Sequence, residues 1–234
     1  MAKNLPSGFR KVTHCIFDMD GLLLDTERLY SEAIQKILDK YGKTYTFEVK
    51  LTLMGLQNQQ VSEKIVAAYD LPMTWQEYSK LQRDVAHDAM RDAQLMPGAE
   101  RLIRHLHETK VPFALATSSG EEMVDLKTTH HKELFQLFHH KVCGSTDPDV
   151  KNGKPAPDIF LTAAARFADK PAPEDCLVFE DAPNGVQAAC SAGMQSIMVP
   201  DERVPLELRA KATQVLKSLE DFKPEEFGLP PFKC

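Results

Sequence analysis

The sequence lacks the features that mark membrane, secreted and disulfide-rich proteins. No segment of its 234 residues approaches the roughly 20 apolar residues that cross a bilayer. Its first residues, MAKNLPSGFRKV, contain no apolar run of the kind found in signal peptides. The five cysteines are scattered without a CxxC pair, which argues against a disulfide framework or a zinc knuckle. These absences predict a cytoplasmic protein without a membrane partner.

Basic charge is also scarce. The 28 Lys and Arg residues are outnumbered by 34 Asp and Glu residues, so the formal net charge is -6 at pH 7. Binding to a nucleic-acid polymer usually needs a basic surface, and no basic run offsets this balance. With 43% hydrophobic residues, the chain can bury a core without disulfides. We therefore expect a globular protein whose partner is a small molecule. The sequence does not determine its oligomeric state, for which a monomer is favoured.

Short apolar runs alternate with helical patterns along most of the chain. Near-continuous apolar runs of this length are typical of parallel strands covered on both faces. The spacing of apolar residues in 99–106 and 159–167 predicts helices between such strands. Strands that alternate with helices indicate an α/β fold with a mostly parallel sheet. The predicted strands are residues 12–17, 111–116, 141–143, 176–179, 196–199 and 214–216.

The alternation is interrupted between the first and second predicted strands. Residues 26–95 contain helical patterns and no convincing strand. Thr26 is placed to cap the first of these helices, and Gly42 is placed to end it. The sequence therefore predicts a core of residues 1–25 and 96–234 with a small inserted helical domain.

Two aspartates directly follow the first predicted strand. Asp18 and Asp20 lie where the apolar run ends, before Gly21. In open α/β sheets, ligands bind outside the carboxyl ends of the strands, so both side chains are expected in one crevice. Adjacent carboxylates repel each other unless a cation or a shared proton offsets their charge. The alternative interpretation is an ordinary turn at the strand end, closed by Gly21.

Three further motifs place polar groups at turns or strand ends. Thr117 and Ser118 follow the second strand, and their hydroxyls and backbone N–H groups suit phosphate oxygens. Lys154 lies in a turn before a predicted helix, and Glu180 with Asp181 ends another strand. Each motif alone has an ordinary structural explanation as a helix cap, a surface charge or a solvated turn. Their convergence on one sheet edge predicts a phosphate-binding site.

These four motifs match, in order, those of the haloacid dehalogenase-like superfamily of phosphotransferases. The resemblance covers nearly the whole chain, and residues 26–95 occupy the position of that superfamily's helical cap. It implies a Rossmann-like core, a phosphatase activity and a Mg²⁺ cofactor. Within the superfamily, the segments FDMDGLLLDTERLY, PFALATSSG, GKPAPDIFL and CLVFEDAPNGV resemble the members that hydrolyse pseudouridine 5'-phosphate, which implies that nucleotide as the substrate.

The resemblance also implies a catalytic role for each motif. Asp18 would attack the phosphorus and become an aspartyl-phosphate. Asp20 would protonate the leaving oxygen and then act as base for the attacking water. Thr117, the Ser118 N–H and Lys154 would bind the phosphoryl group.

A metal site is implied at the same strand ends. Mg²⁺ would be bound by the carboxylates of Asp18 and Asp181 and by the backbone carbonyl of Asp20. Glu180 would orient a metal-bound water or Lys154 rather than bind the ion directly.

The inserted helical domain is expected to select the substrate. Candidate contacts are Glu27, Tyr30 and Asn58, the last in the turn of residues 54–58. A sugar phosphomutase similar to β-phosphoglucomutase is a competing hypothesis. Such enzymes have a His and an Arg at the positions aligned with Tyr30 and Asn58, and their absence favours water as the acceptor. Two further hypotheses are a phosphatase for a different nucleotide or sugar phosphate and a non-catalytic module with the same fold.

Overall fold

The computed structural model describes residues 8–54 and 56–233, which form an α/β fold around a six-stranded sheet. Every neighbouring pair of strands is parallel, in the order β3-β2-β1-β4-β5-β6. The predicted fold class is thereby confirmed, and each predicted strand is present with its ends displaced by no more than two residues. The strands are β1 His14–Phe17, β2 Phe113–Thr117, β3 Lys141–Cys143, β4 Cys176–Glu180, β5 Gln195–Met198 and β6 Gln214–Val215.

Helices cover both faces of the sheet, which explains why the strands are apolar throughout. Along β1, Phe17 packs into one hydrophobic cluster and Ile16 into another, because successive side chains of a strand point to opposite faces. Helix α5 (Ala99–Glu108) contributes to the first cluster. The short helices α6 (Glu121–Lys127) and α7 (Lys132–Phe135) come next in the chain. Helices α8 (Asp158–Arg166) and α9 (Pro183–Ser191) contribute to the second cluster. Full burial of each large apolar side chain contributes about 1.5–3 kcal/mol.

Helices α1 to α4 lie between β1 and β2 in the chain. They share a hydrophobic cluster of their own that includes Ile37, Ile65 and Tyr78. This cluster supports the division into a core and an inserted helical domain of residues 26–95, which stays a prediction. Among the described residues, no helix combines the length and apolar character needed to span a membrane. The four helices are α1 Thr26–Leu38, α2 Phe47–Leu51, α3 Asn58–Ala68 and α4 Trp75–Arg91.

The ends of α1 correct one prediction and support another. Asp25, not Thr26, occupies the position before the helix, and Thr26 is its first residue. The Thr26 hydroxyl instead donates to Asp20 Oδ1 at 2.7 Å, because the turn of residues 18–24 brings that carboxylate over the helix start. After α1 the chain makes one 3₁₀ turn, and Gly42 ends it with a φ of 63°, as its permissive backbone allows.

Candidate active site

The parallel register of β1 and β4 places three carboxylates side by side. Phe17 pairs with Phe179, and the N–H of Asp18 donates to the carbonyl of Phe179 at 2.9 Å. Glu180 and Asp181 come next in the chain after Phe179, so they lie beside Asp18. Oxygens of the three carboxylates lie within 4.8 Å of one another, and all three residues are buried. The structure thus brings together the acidic groups of two predicted motifs.

Lys154 supplies positive charge to this cluster. Its side chain is 1% exposed, and its ammonium donates to Asp18 Oδ1 at 2.5 Å, to Glu180 Oε1 at 2.6 Å and to the carbonyl of Ala116 at 3.3 Å. Burial lowers the pKa of Lys154, but the two carboxylates outweigh this effect and the pKa is raised overall. Lys154 is therefore a permanent cation shared between the predicted nucleophile and Glu180.

The carboxylate of Asp181 is the unbalanced member of the cluster. It is buried, and within residues 8–54 and 56–233 it accepts no hydrogen bond and forms no ion pair. Burial raises its pKa well above the usual range, and repulsion from Glu180 and Asp18 adds to the effect. Burial likewise raises the pKa of Asp18 to about 8, against the attraction of Lys154. Uncompensated buried carboxylate oxygens are the donors that hard divalent cations prefer, so this cluster fits a divalent metal.

Two glycines let these acidic groups lie close to the backbone. A Cβ at Gly21, whose φ is +82°, would lie 2.3 Å from Asp181 Oδ2. A Cβ at Gly185, in the first turn of α9, would lie 2.0 Å from the carboxylate of Glu180. Glu180 Oε2 accepts the N–H groups of Asp181 and Ala182 at 3.2 and 3.3 Å, which leaves Oε1 for Lys154. These contacts support the predicted orienting role of Glu180.

Asp20 belongs to a separate network built around a second buried lysine. Lys127, at the end of α6 (Glu121–Lys127), is 0% exposed and donates to Asp20 Oδ1 at 2.5 Å. The hydroxyls of Thr26 and Ser119 donate to the same carboxylate at 2.7 and 2.9 Å. Burial alone would raise the pKa of Asp20, but Lys127 and these hydroxyls hold it below its usual value. The structure therefore holds Asp20 ionised, the form that serves as a base.

Sequence reasoning missed Lys127, and it placed Ser119 in the phosphate-binding motif without predicting its contact with Asp20. The available signal was the position of Lys127 three residues after the buried Val124, on the inward face of α6. A lysine at an apolar position of a helical stripe indicates either a buried ion pair or a boundary of the stripe. The contact between Lys127 and Asp20, which lie 107 positions apart in the sequence, shows that this lysine forms a buried ion pair.

Thr117 and Ser118 lie at the same edge of the sheet, after the apolar part of β2. The Thr117 hydroxyl is buried; it donates to Asp20 Oδ2 at 3.3 Å and accepts the N–H of Ser119 at 3.1 Å. Ser118 lines a cavity together with Asp18. Both predicted phosphate-binding residues thus lie at the site, and their contacts with a phosphate stay a prediction.

We expect Lys127→Met to lower turnover of a phosphate monoester by about 100-fold, within the range attributed to a positioned acid–base group. The substitution leaves Asp20 without its buried cation, so the carboxylate loses both its ionised state and its fixed orientation. The measurement is kcat beside Lys132→Met, which makes the same change at an exposed lysine. Wild-type turnover in Lys127→Met would contradict the assignment of Asp20 as a group that Lys127 controls.

A cavity of about 320 Å³ connects the carboxylates to the helices α1 to α4. Its size is suited to a small organic ligand. The three predicted specificity residues, Glu27, Tyr30 and Asn58, all line it. Sequence reasoning missed Lys50, another lining residue, whose ammonium lies 3.4 Å from Glu27 Oε2.

Met54 and Gln57, from the predicted turn of residues 54–58, contact the core near this cavity. The amide of Gln57 donates to the carbonyl of Gly144 at 3.1 Å, and the amide of Asn184 donates to the carbonyl of Met54 at 2.7 Å. Gly55, predicted as part of this turn, lies outside the described residues. The two amide contacts fix Met54 and Gln57 against the core beside the cavity.

Comparisons with known proteins agree with this geometry. The model of the family described as haloacid dehalogenase-like hydrolase matches residues 15–199. A Drosophila melanogaster protein named probable pseudouridine-5'-phosphatase is 66% identical over 223 residues, covering 95% of this chain and 96% of its own. (DL)-glycerol-3-phosphatase 1, mitochondrial, of Arabidopsis thaliana is 48% identical over 230 residues, covering 97% of this chain and 77% of its own.

A solved structure shows the same architecture. The crystal structure of a putative beta-phosphoglucomutase from Thermotoga maritima matches with a TM-score of 0.69 and 29% identity, covering 89% of this chain and 96% of that one. The family model spans most of the chain and includes Asp18, Thr117, Lys154 and Glu180 with Asp181. The chain therefore belongs to the haloacid dehalogenase-like hydrolase family, as its four motifs predicted.

Proposed function

We propose that this protein is a Mg²⁺-dependent phosphatase that hydrolyses pseudouridine 5'-phosphate to pseudouridine and phosphate through an aspartyl-phosphate on Asp18. The broader enzyme class, phosphoric monoester hydrolase, follows from the family and from the named phosphatases among the relatives. The observation that carries the proposal is the position of Asp18 on the wall of the cavity of about 320 Å³, between Lys154 and Asp181, which has no partner in the described ranges.

The reaction divides between two aspartates. An oxygen of Asp18 attacks the phosphorus, the ester P–O bond breaks, and the leaving alkoxide takes a proton from Asp20. Asp20 then removes a proton from water, which attacks the aspartyl-phosphate and releases inorganic phosphate. The acid half of this cycle requires Asp20 to take up a proton within its network of Lys127, Thr26 and Ser119.

The phosphoryl group is held by the residues that follow β2 and by Lys154. Lys154 neutralises charge on Asp18 and on the phosphoryl oxygens, while Thr117 and the N–H of Ser118 orient those oxygens. Phosphoryl transfer depends mainly on such positioning and charge stabilisation. Glu180 acts by fixing Lys154, because its Oε1 already contacts that ammonium.

The metal completes the charge balance. Asp18 and Asp181 would hold Mg²⁺ through their carboxylates and Asp20 through its backbone carbonyl. When bound, the ion neutralises the phosphoryl group and favours the ionised form of Asp18. The carboxylate of Asp181, for which the described residues supply no partner, supports this assignment.

Because burial raises the pKa of Asp18 to about 8, we expect stability to depend on pH and metal together. An acid whose pKa is higher in the folded state than in the unfolded state stabilises the fold when protonated. That stability is lost as pH rises from the unfolded value through about 8. Midpoints of thermal unfolding in EDTA should therefore fall across this range, and saturating Mg²⁺ should remove the fall. If the midpoint of thermal unfolding depends on pH in the same way with and without Mg²⁺, the metal assignment is refuted.

Pseudouridine 5'-phosphate is proposed because of the 66% identical relative and the motifs that resemble this subfamily. The 48% identical relative supports a second candidate, a glycerol phosphate. A phosphomutase is not favoured, because Tyr30 and Asn58 stand where those enzymes have a His and an Arg. Both side chains line the cavity, where a sugar acceptor would bind.

The test is phosphate release from pseudouridine 5'-phosphate, uridine 5'-phosphate, glycerol 3-phosphate and glucose 1-phosphate, with Mg²⁺ or EDTA. We expect the first substrate to have the highest kcat/KM and EDTA to abolish turnover. A higher kcat/KM for glycerol 3-phosphate would replace the proposed substrate with the second candidate. Isomerised glucose phosphate formed faster than inorganic phosphate would show a mutase instead.

A further inference from the structure

One buried amide on the wall of the cavity has no partner in the described part of the protein. Gln82 lies in the middle of α4 and is 4% exposed. Among residues 8–54 and 56–233, no group forms a hydrogen bond with its side chain. Buried polar side chains are nearly always hydrogen-bonded, so such an amide needs an explanation.

Gln82 lines the cavity, and its amide is not among the polar groups that the described protein encloses completely. In the described part of the chain, the hydroxyls of Ser62 and Tyr78 have no partner and are fully buried. The amide atoms of Gln82 do not belong to this fully buried group. Gln82 instead lines the cavity with its helix neighbours Ser79 and Ala86. These positions are three and four residues apart, which places them on one face of α4.

Asn58 and Lys50, two other polar residues of the cavity wall, already have protein partners. The Asn58 amide donates to Ser79 Oγ at 2.7 Å. The Lys50 ammonium donates to Ser31 Oγ at 3.0 Å and pairs with Glu27. The Gln82 amide is therefore available to a ligand without breaking a contact among the described residues.

The surroundings of Gln82 suit a flat, partly apolar group. Ala86 follows it one turn later on the same face, and the wall combines apolar and phenolic side chains with charged ones such as Lys50 and Arg83. Asp18 and Gln82 line the same cavity, so a ligand whose phosphate lies at Asp18 would share this space with the Gln82 side chain. The apolar and phenolic lining residues are Tyr30, Ile34, Tyr45, Leu53, Leu56 and Val61.

We propose that Gln82 determines substrate specificity by pairing its carboxamide with an N–H/C=O edge of a uracil-type base. This inference rests on the proposed function and assigns the base subsite within it. The side-chain N–H₂ donates to a ring carbonyl, and the side-chain oxygen accepts a ring N–H. Such an edge is absent from glycerol phosphate and sugar phosphates. A site built to hydrogen-bond a ligand discriminates strongly against analogues that leave its polar group unpaired.

Pseudouridine offers such edges at both ring nitrogens. Its base is joined to the ribose through carbon, so N1 and N3 both carry hydrogen, whereas N1 of uridine is joined to the ribose. Pairing of Gln82 at the N1 edge favours pseudouridine over uridine, and pairing at the N3 edge accepts both. The 5'-phosphates of N1-methyl- and N3-methylpseudouridine distinguish these two edges.

The experiment compares wild type, Gln82→Leu and Gln76→Leu, all with Mg²⁺. Gln76→Leu is the matched control, because it makes the same change at an exposed position of α4. We expect Gln82→Leu to lower kcat/KM for pseudouridine 5'-phosphate by about 10- to 100-fold, mainly through KM, since two hydrogen bonds are lost. Its kcat/KM for glycerol 3-phosphate should change by less than about 3-fold, the scatter expected for a group that does not touch that substrate.

The methylated substrates test independently which edge of the base Gln82 binds. In the wild type, methylation of the edge that Gln82 binds should lower kcat/KM by the same factor as Gln82→Leu. In Gln82→Leu, that methylation should cause no further loss, as expected for two changes that remove one interaction. Additive losses for both methylated substrates would overturn the assignment.

Thermal unfolding separates recognition from a structural role. Replacing an unpartnered buried amide by leucine should leave the midpoint unchanged or raise it, since no protein hydrogen bond is lost. A lower midpoint, with equal losses on both substrates, would show that Gln82 supports the fold and overturn the inference. If the wild type prefers pseudouridine 5'-phosphate and Gln82→Leu keeps that preference, only the Gln82 assignment fails. Equal kcat/KM of the wild type for all substrates would refute the proposed substrate and the base subsite together.

Discussion

Asp18→Asn should lower turnover of every phosphate monoester by about 10⁴-fold or more, the scale found when a covalent nucleophile is removed. The amide has nearly the shape of the carboxylate and keeps an oxygen toward Lys154, so the loss reports the nucleophile rather than packing. Rapid acid quenching of wild type with substrate labelled in the phosphate should leave label on the protein. Asp18→Asn should carry none.

The control for this prediction is Asp88→Asn, which makes the same change at a side chain that is 93% exposed. It should retain wild-type turnover and the labelled intermediate. Turnover of Asp18→Asn within about 10-fold of wild type would refute covalent catalysis through Asp18, because water attacking the substrate directly would then suffice.

Lys154→Met should destabilise the protein and abolish activity. Removal of one partner from a buried ion pair typically costs about 3–5 kcal/mol, because it leaves an uncompensated charge. Here the loss leaves Asp18 and Glu180 without their shared cation. The free energy of unfolding, measured with urea, should fall by about that amount relative to Lys151→Met, an exposed lysine three positions earlier.

The pH dependence and a double variant separate the two effects of Lys154. The loss of stability should be smaller at pH 5 than at pH 8, because the carboxyls can be protonated at the lower pH. Lys154→Met combined with Glu180→Gln should recover much of the stability, since one buried charge is removed with its partner, and should remain inactive. Recovery of turnover in the double variant would contradict a role of Lys154 at the phosphoryl group.

The two aspartates of the first motif lie in different electrostatic environments, because Asp18 contacts Lys154 and Asp20 contacts Lys127. Burial raises the pKa of Asp18, beside two other carboxyl groups, while Lys127 and two hydroxyls outweigh burial and lower the pKa of Asp20. Pairs of carboxyl groups whose environments differ in this way commonly serve different chemical roles. This separation supports Asp18 as the metal-dependent nucleophile and Asp20 as the acid–base group.

Local sequence was sufficient for the strands and for the motifs at their ends. Each of the six strands was predicted because a parallel strand covered by helices must be apolar on both faces, and that requirement appears within a few residues. The position of Asp18 beside Glu180 also follows from sequence, since the carboxyl ends of parallel strands meet at one edge. Gly42 was recognised as a helix end for an equally local reason.

The contact of Thr26 could not be predicted from local sequence. Its sequence context suits a helix cap, but its hydroxyl donates to Asp20 and the cap position belongs to Asp25. A hydroxyl near a helix start has several possible acceptors, and the choice depends on which carboxylate the tertiary structure brings within reach. The cap pattern could not contain that information.

The chain by itself determined the α/β class, the four motifs and the family, because each depends on residue types at short spacing. Tertiary structure decided that Lys127 pairs with Asp20, that Asp181 has no partner among the described residues, and that Gln82 lines the cavity. The physical reason is that a buried polar group's role depends on its neighbours in space. Those neighbours come from distant segments, whose positions are set only when the sheet and the helices pack together.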